Sequence, residues 1–196
     1  MRTLKILPVA FLTCLAFVSL RHARAEEAVS REASEEPIVR RGFTLGLSIG
    51  AGATFLSPKS GVNSKNDGGL GGINLSIGGF LNPDLALLLK VTGVNYGAFD
   101  SELSTGIAAV VGPAVEYWLS DHFNLVGGAG LGVLTMEPKL SATTLTEYGF
   151  GGMAGINYFP WALRHHGLGF FADVSPIATS NFFVLTYQAG FSWQYY

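Results

Sequence analysis

The chain is poor in charge. Asp, Glu, Lys and Arg make up 13% of it, about half of the roughly 25% found in ordinary globular domains. Twelve basic residues against fourteen acidic ones leave a net charge of −2. That provides no basic face for a phosphate backbone, so no nucleic-acid partner is expected. Cysteine is almost missing. The single one, Cys14, sits in an apolar N-terminal run, and a chain that loses this run has no disulfide to hold it together. Thr13 precedes Cys14 and more apolar sequence follows it, which argues against a lipid-anchored cysteine. Helical patterning is absent too. No segment repeats its apolar residues every 3.6 positions, and the 26 glycines would each cost about 1 kcal/mol in a helix relative to alanine. They follow no collagen-like triplet, so strands and turns remain.

Hydrophobic residues reach 48% and the mean hydropathy is +0.36. The opening MRTLKILPVAFLTCLAFVSLRHARAEE has the three parts of a secretory signal. Arg2 and Lys5 form the positive region, Ile6 to Leu20 the apolar region, and Ala23 and Ala25 the small residues that predict cleavage before Glu26. An uncleaved anchor is the competing reading, although the apolar run is short for a membrane span. Residues 26–41, EEAVSREASEEPIVRR, are dense in charge and read as a flexible tail. Residues 42–196 read as one domain.

Within that domain, apolar and small residues alternate. FTLGLSIGAGATF puts Phe43, Leu45, Leu47, Ile49, Ala51, Ala53 and Phe55 on one face, with Gly, Ser and Thr on the other. Seven more segments follow the pattern, at 72–81, 85–97, 106–119, 123–136, 148–159, 167–175 and 182–196. Short connections such as NPD (82–84) and SDH (120–122) alternate with longer polar ones at 57–69, 98–105 and 137–147. The face without large apolar groups has almost no Lys, Glu or Arg, so it makes a poor soluble exterior. Turning the faces round resolves this: large apolar side chains meet lipid, and small and polar ones fill a narrow lumen. Closure then pairs every backbone group in hydrocarbon. The fold class expected is all-β, a closed antiparallel eight-stranded transmembrane up-and-down barrel. A water-soluble barrel is the alternative. Phe55, Tyr148 and Phe183 at the loop end, and Phe43, Tyr117, Tyr158, Trp193 and Tyr195 at the turn end, fit two interfacial aromatic girdles. Pro113 within the fourth strand predicts a bulge, and Pro176 is expected to end a short seventh strand.

A cleavable signal, eight amphipathic strands, alternating connection lengths and the aromatic ending YQAGFSWQYY together resemble the small bacterial outer-membrane barrels of the OmpA/OmpX/OmpW-like class, over residues 41–196. The resemblance implies an outer-membrane location, with termini and tail in the periplasm and long loops outside. It implies contact with outer-membrane lipid and lipopolysaccharide, and insertion by the barrel-assembly machinery. In that class the final strand carries the assembly signal. Here it maps onto Phe191, Trp193 and Tyr195, with Tyr196 one place beyond. The chain is expected to be a monomer.

The lumen face holds three ionisable residues, Lys90, Glu116 and Asp173. Lys90 and Glu116, on neighbouring strands near a short turn, are expected to meet as an ion pair, with Asp173 joining them or binding water. A selectivity or gating pair is the functional alternative. Glycine lines the lumen face of three strands, while Phe80, Leu88, Tyr96, Trp118, Phe171 and Phe182 are large residues on the others. Either these fill the space the glycines leave, or a narrow path remains with Phe80, Tyr96, Trp118 and Phe171 as its constriction. A pore of porin size is excluded by the strand count. His122, His165 and His166 fall in short connections away from the loop Ser, Thr and Glu, so no activated nucleophile forms and no catalysis is expected. No metal site or cofactor is expected either, because the His165–His166 pair lacks a third ligand. The GxG stretches open no helix and are not phosphate loops. The function expected is a non-catalytic membrane-structural or surface-contact role. The alternative, implied by the OmpW-like resemblance, is passive passage of small apolar solutes through the barrel or sideways out of it.

Overall fold

In a computed structural model, the structure describes residues 38–59, 65–96, 105–137 and 144–196. The proposed signal peptide, with Ala23 and Ala25, lies outside the described residues, as do residues 26–37 of the tail and residues 60–64, 97–104 and 138–143 at the long loops. Eight antiparallel strands form one closed barrel in chain order: β1 (Gly42–Pro58), β2 (Lys65–Asn82), β3 (Leu85–Tyr96), β4 (Thr105–Ser120), β5 (Phe123–Glu137), β6 (Leu145–Ala162), β7 (His166–Thr179) and β8 (Phe182–Tyr195). Closure is made by β1 on β8, from Leu45 opposite Tyr195 to Pro58 opposite Phe182. Among the described residues no strand is left without a neighbour on either side, which is what hydrocarbon demands of a spanning sheet.

The period-2 pattern becomes two surfaces. Leu47, Ile49, Ile73, Leu75, Leu89, Phe150 and Phe191 stand outward and exposed, whereas Ser48, Asn74, Lys90, Thr92, Asp173 and Gln188 are buried inside. Phe150 is 68% and Phe191 64% exposed. A contiguous apolar belt of this kind would drive aggregation in water and is stable in lipid. Phe43, Tyr117, Tyr148, Tyr158, Phe183 and Tyr195 also face outward, while Phe55 and Trp193 are half-buried.

Several strand limits differ from the sequence pattern. β2 starts at Lys65, seven residues before the expected Gly72, because the polar segment 65–70 continues the pairing with β1 beyond one bulge. Gly71 is the inserted residue, lying between the Gly50–Gly72 and Ala51–Leu70 pairs. Its φ of 107° is a conformation that favours glycine. Pro113 makes no bulge. It pairs with Leu89 on β3, and the β4–β5 register is unshifted from Val111–Leu131 to Ala114–Gly128. Pro176 does not end β7 either, which runs on to Thr179 with Pro176 opposite Leu185. On the other side of each proline the ladder lapses, between Val111 and Ala114 on β5 and between Val174 and Ile177 on β6. A proline removes one donor, and here that costs a local gap in one ladder rather than the strand. Residues 38–41, expected to belong to the free tail, are part of the barrel unit, and Arg40 is buried at its mouth.

Candidate functional site, the barrel lumen

An eight-stranded barrel encloses a space just wide enough for side chains to fill, so the chemistry of the lumen follows from which inward residues are large. At the loop end these are Tyr96, Val110, Leu134, Met136, Ile177 and Val184, all buried in one apolar cluster. The inward glycines of β5 and β6 make room for them. A Cβ at Gly132 would collide with Ile177, and one at Gly151 would stand 2.6 Å from Val110 Cγ2. Tyr96 closes the layer by donating its hydroxyl to the Thr135 carbonyl at 2.6 Å.

At the turn end the closure is aromatic. Trp118 stacks on Phe159 with centroids 5.5 Å apart and meets Tyr196 edge-on at 5.5 Å. All three are essentially buried. The Arg40 guanidinium lies over the Trp118 ring, 3.9 Å from its centroid. Burial also pushes the Tyr196 phenol up to about 12.

Between the two closures is a polar layer. Asp173 Oδ2 accepts from Lys90 Nζ at 3.3 Å and from Asn74 Nδ2 at 2.5 Å. Gln188 Nε2 donates to Asn74 Oδ1 at 2.6 Å and to Thr92. Glu116 Oε1 accepts from Trp118 Nε1 at 2.5 Å and from Gln194 Nε2 at 2.7 Å. Ser48 donates to Ser192 at 2.9 Å, and Asn157 to Asn124 at 2.7 Å. Among these side chains is a cavity of about 20 Å³, lined by Ser48, Asn74, Lys90, Glu116, Asn157 and Gln194. That is room for about one water molecule.

The three lumen charges are all buried, but their pairing differs from the expectation. Lys90 meets Asp173 across the barrel, on β7, and not Glu116 on the neighbouring strand. The register explains this. Glu116 lies opposite Ala86 and Lys90 opposite Gly112, so four residues of strand, about 13 Å at 3.3 Å per residue, separate the two. Arg40, a residue taken for tail, is with Lys90 a cation whose field reaches Glu116.

Nor do Phe80, Tyr96, Trp118 and Phe171 form one constriction. Trp118 belongs to the turn-end closure and Tyr96 to the loop-end cluster. Phe80 packs against both, and Phe171 is buried outside either cluster. Of the C-terminal aromatics, Phe191 and Tyr195 face outward, Trp193 is half-buried and Tyr196 turns inward. Of the decisive lumen residues, Phe159, Val184 and Tyr196 fall on the inward alternation within the expected strands 148–159 and 182–196, whereas Ile177 lies two places past the expected end of 167–175. Arg40 carried no such mark. His122 donates its Nδ1–H to the Phe159 carbonyl at 2.8 Å, and His166 lies against Trp193 and Tyr195 with centroids 6.0 and 5.2 Å away. Among the described residues no three His, Cys, Asp or Glu gather to hold a metal.

Comparison with solved structures places this architecture. Over 80% of this chain and all of the other, it superposes on Ail, the attachment invasion locus protein of Yersinia pestis, with a TM-score of 0.57 at 15% identity. Ail in complex with the heparin analogue sucrose octasulfate gives 0.55 at 16%, with 80% of this chain and 100% of that one covered. The Neisserial surface protein A gives 0.53 at 16%, covering 79% of this chain and 96% of its own. The chain has the fold of the small outer-membrane β-barrels. No protein-family model and no curated protein matches it. The likeness of this small-barrel fold at such low identity lies in strand number, closure and the inward–outward alternation, all of which tolerate wide substitution.

Proposed function

We propose that the protein is an integral outer-membrane barrel that neither catalyses nor conducts, and that serves a membrane-structural or surface-contact role. The observation that carries this reading is the double closure of the lumen. An apolar cluster fills the loop end and an aromatic one the turn end, and the cavity described between them has room for about one water. A solute path would need both closures displaced at once. What remains to meet other molecules is the apolar belt, which faces membrane lipid and lipopolysaccharide, and the loops around 57–69, 98–105 and 137–147. The fold shared with an attachment protein and a surface protein supports the surface-contact half of the proposal. In this reading the short turns and the N-terminal tail face the periplasm, and the barrel acts as a monomer. Phe191, Trp193 and Tyr195 form the face offered to the barrel-assembly machinery, and Tyr196 seals the lumen.

Planar-bilayer recording of refolded residues 26–196 tests the non-conducting half. Silence is expected from a preparation that migrates as a compact species before boiling. Silence is expected from Trp118→Ala as well, because the loop-end cluster stays in place. Discrete openings in the unsubstituted protein would overturn the proposal. Loop-shortened variants separate the two remaining roles: a structural barrel keeps cells resistant to detergent without its loops, and a surface-contact barrel does not keep their adhesion.

A further inference from the structure

The N-terminal edge of the barrel holds a feature that neither role uses. Gly42, the first residue of β1, has φ of +78°, in the left-handed region that favours glycine. The chain before it therefore does not prolong β1 but runs across the mouth. The Val39 N–H donates to the Arg164 carbonyl at 3.1 Å, fastening this segment to the β6–β7 turn. Arg40 reaches the β4–β5 turn, where its Nη2 donates to the Asp121 carbonyl at 2.7 Å and to Asp121 Oδ1 at 3.2 Å.

Around the guanidinium the barrel supplies a cage. Trp118 presents a ring face at 3.9 Å and Tyr196 a second ring at 5.5 Å. Phe159 stacks on Trp118, Glu116 accepts the indole N–H, and Asp121 brings a carboxylate oxygen to 3.2 Å from the guanidinium. Aromatic faces with a carboxylate in reach are the chemistry that recognises organic cations. The Arg40 side chain is 5% exposed, deeper than an ordinary surface arginine. Its Nε is buried without a partner among the described residues, so the fit is that of a ligand held by its flat face and one nitrogen. Apart from the contacts of Arg40 itself, the segment is fastened by the Val39 hydrogen bond and by Ile38, which packs against the aromatic cluster.

We propose that the turn-end mouth of this barrel is a guanidinium-binding cage, which the chain's own Arg40 occupies as a tethered ligand. Residues 38–41 are then a removable plug, and the cage accepts an external guanidinium group when Arg40 is absent. The proposal does not depend on whether the loop end is closed, so it stands or falls separately from the non-conducting role.

Fluorine NMR of the full barrel labelled with 5-fluorotryptophan tests it, with Trp118 assigned by W118F and Trp161 and Trp193 as internal controls. In R40A the Trp118 resonance shifts while the other two stay. Millimolar N-methylguanidinium then returns it toward its original position with saturation, and methylammonium at the same concentration does so less. In the unsubstituted protein the same addition causes no such change, because a tethered ligand competes at high effective concentration. An unmoved Trp118 resonance in R40A would overturn the proposal, as would a shift that N-methylguanidinium does not reverse. Should R40A give no compact species on electrophoresis before boiling, R40Q, of similar length and uncharged, is read in the same way. Failure of both to fold would show a structural ion rather than a removable plug, and would overturn the proposal too.

Discussion

Replacing Lys90 by methionine leaves Asp173 without its cation in the middle of a narrow, lipid-surrounded barrel. The two side chains are 8% and 3% exposed, so bulk water does not replace the lost partner. Breaking a buried pair in this way costs about 3–5 kcal/mol. The barrel has one escape, which is to let the stranded carboxyl take up a proton. For a carboxyl that ordinarily titrates near 3.9, this costs roughly 4 kcal/mol at pH 7, so the loss is capped near that value. The cap falls to roughly 1.5 kcal/mol at pH 5. The sign follows from proton counting. At pH 5–7 the unfolded variant has released a proton that the folded variant holds, so the variant gains stability as the pH falls. Substituting both partners, Lys90→Met with Asp173→Leu, removes the stranded charge and should recover most of the loss, leaving Asn74 with one acceptor fewer. The assay is urea unfolding in lipid vesicles, followed by tryptophan fluorescence at pH 5 and 7, for the two single variants and the double. A Lys90→Met loss below about 1 kcal/mol at pH 7 would refute the reasoning. A double variant as unstable as the summed singles would refute it equally, since it would show two independent contributions.

Three further outcomes are expected. Gly132→Leu drives a side chain into Ile177 and should destabilise the barrel by about 1–3 kcal/mol; Ile177→Ala in the same chain should restore part of the loss, read from the same unfolding curves. Leu75→Arg sets a charge on the exposed belt opposite Leu47 and Val91, and should cost about 2–4 kcal/mol in vesicles, whereas Ser76→Thr on the lumen side should cost far less. Burial raises the Tyr196 phenol to about 12 against an unfolded value of about 10. Between these values the unfolded chain has lost a proton that the folded one keeps, so this group's contribution to stability falls as pH rises. Urea titrations at about pH 8 and 11 should therefore show the unsubstituted protein losing more stability than Tyr196→Phe.

The alternation itself decided most of the architecture. Phe43 to Phe55 and the seven later segments state which residues face out, because a strand has a side-chain period of two and lipid accepts only one of the faces. The closed eight-stranded barrel, the outward position of Phe43, Tyr117, Tyr148, Tyr158, Phe183 and Tyr195 and the inward position of Lys90, Glu116 and Asp173 were legible on that basis. Pro113 and Pro176 misled, since a proline's local cost is visible in sequence and the ladder on its other side, which holds the strand, is not. Strand pairing register was equally hidden. It set Glu116 four residues away from Lys90 and brought Asp173, 83 positions along the chain, within reach.

What only the tertiary structure decided is what fills the lumen and what closes its mouth. The sequence marks large and small inward residues, but whether Ile177 fills the space over Gly132, or Val110 that over Gly151, depends on how strands several positions apart face one another. Arg40 shows the limit most clearly. In sequence it stands next to last in a charged run that looks like tail, and nothing local separates it from Arg41 beside it. Its burial comes from the turn at Gly42 and from Trp118, Tyr196 and Asp121, contributed by β4, the residue beyond β8 and the β4–β5 turn. A periodic pattern reports the environment of a strand face, whereas a cage assembled from distant residues exists only once the barrel has closed.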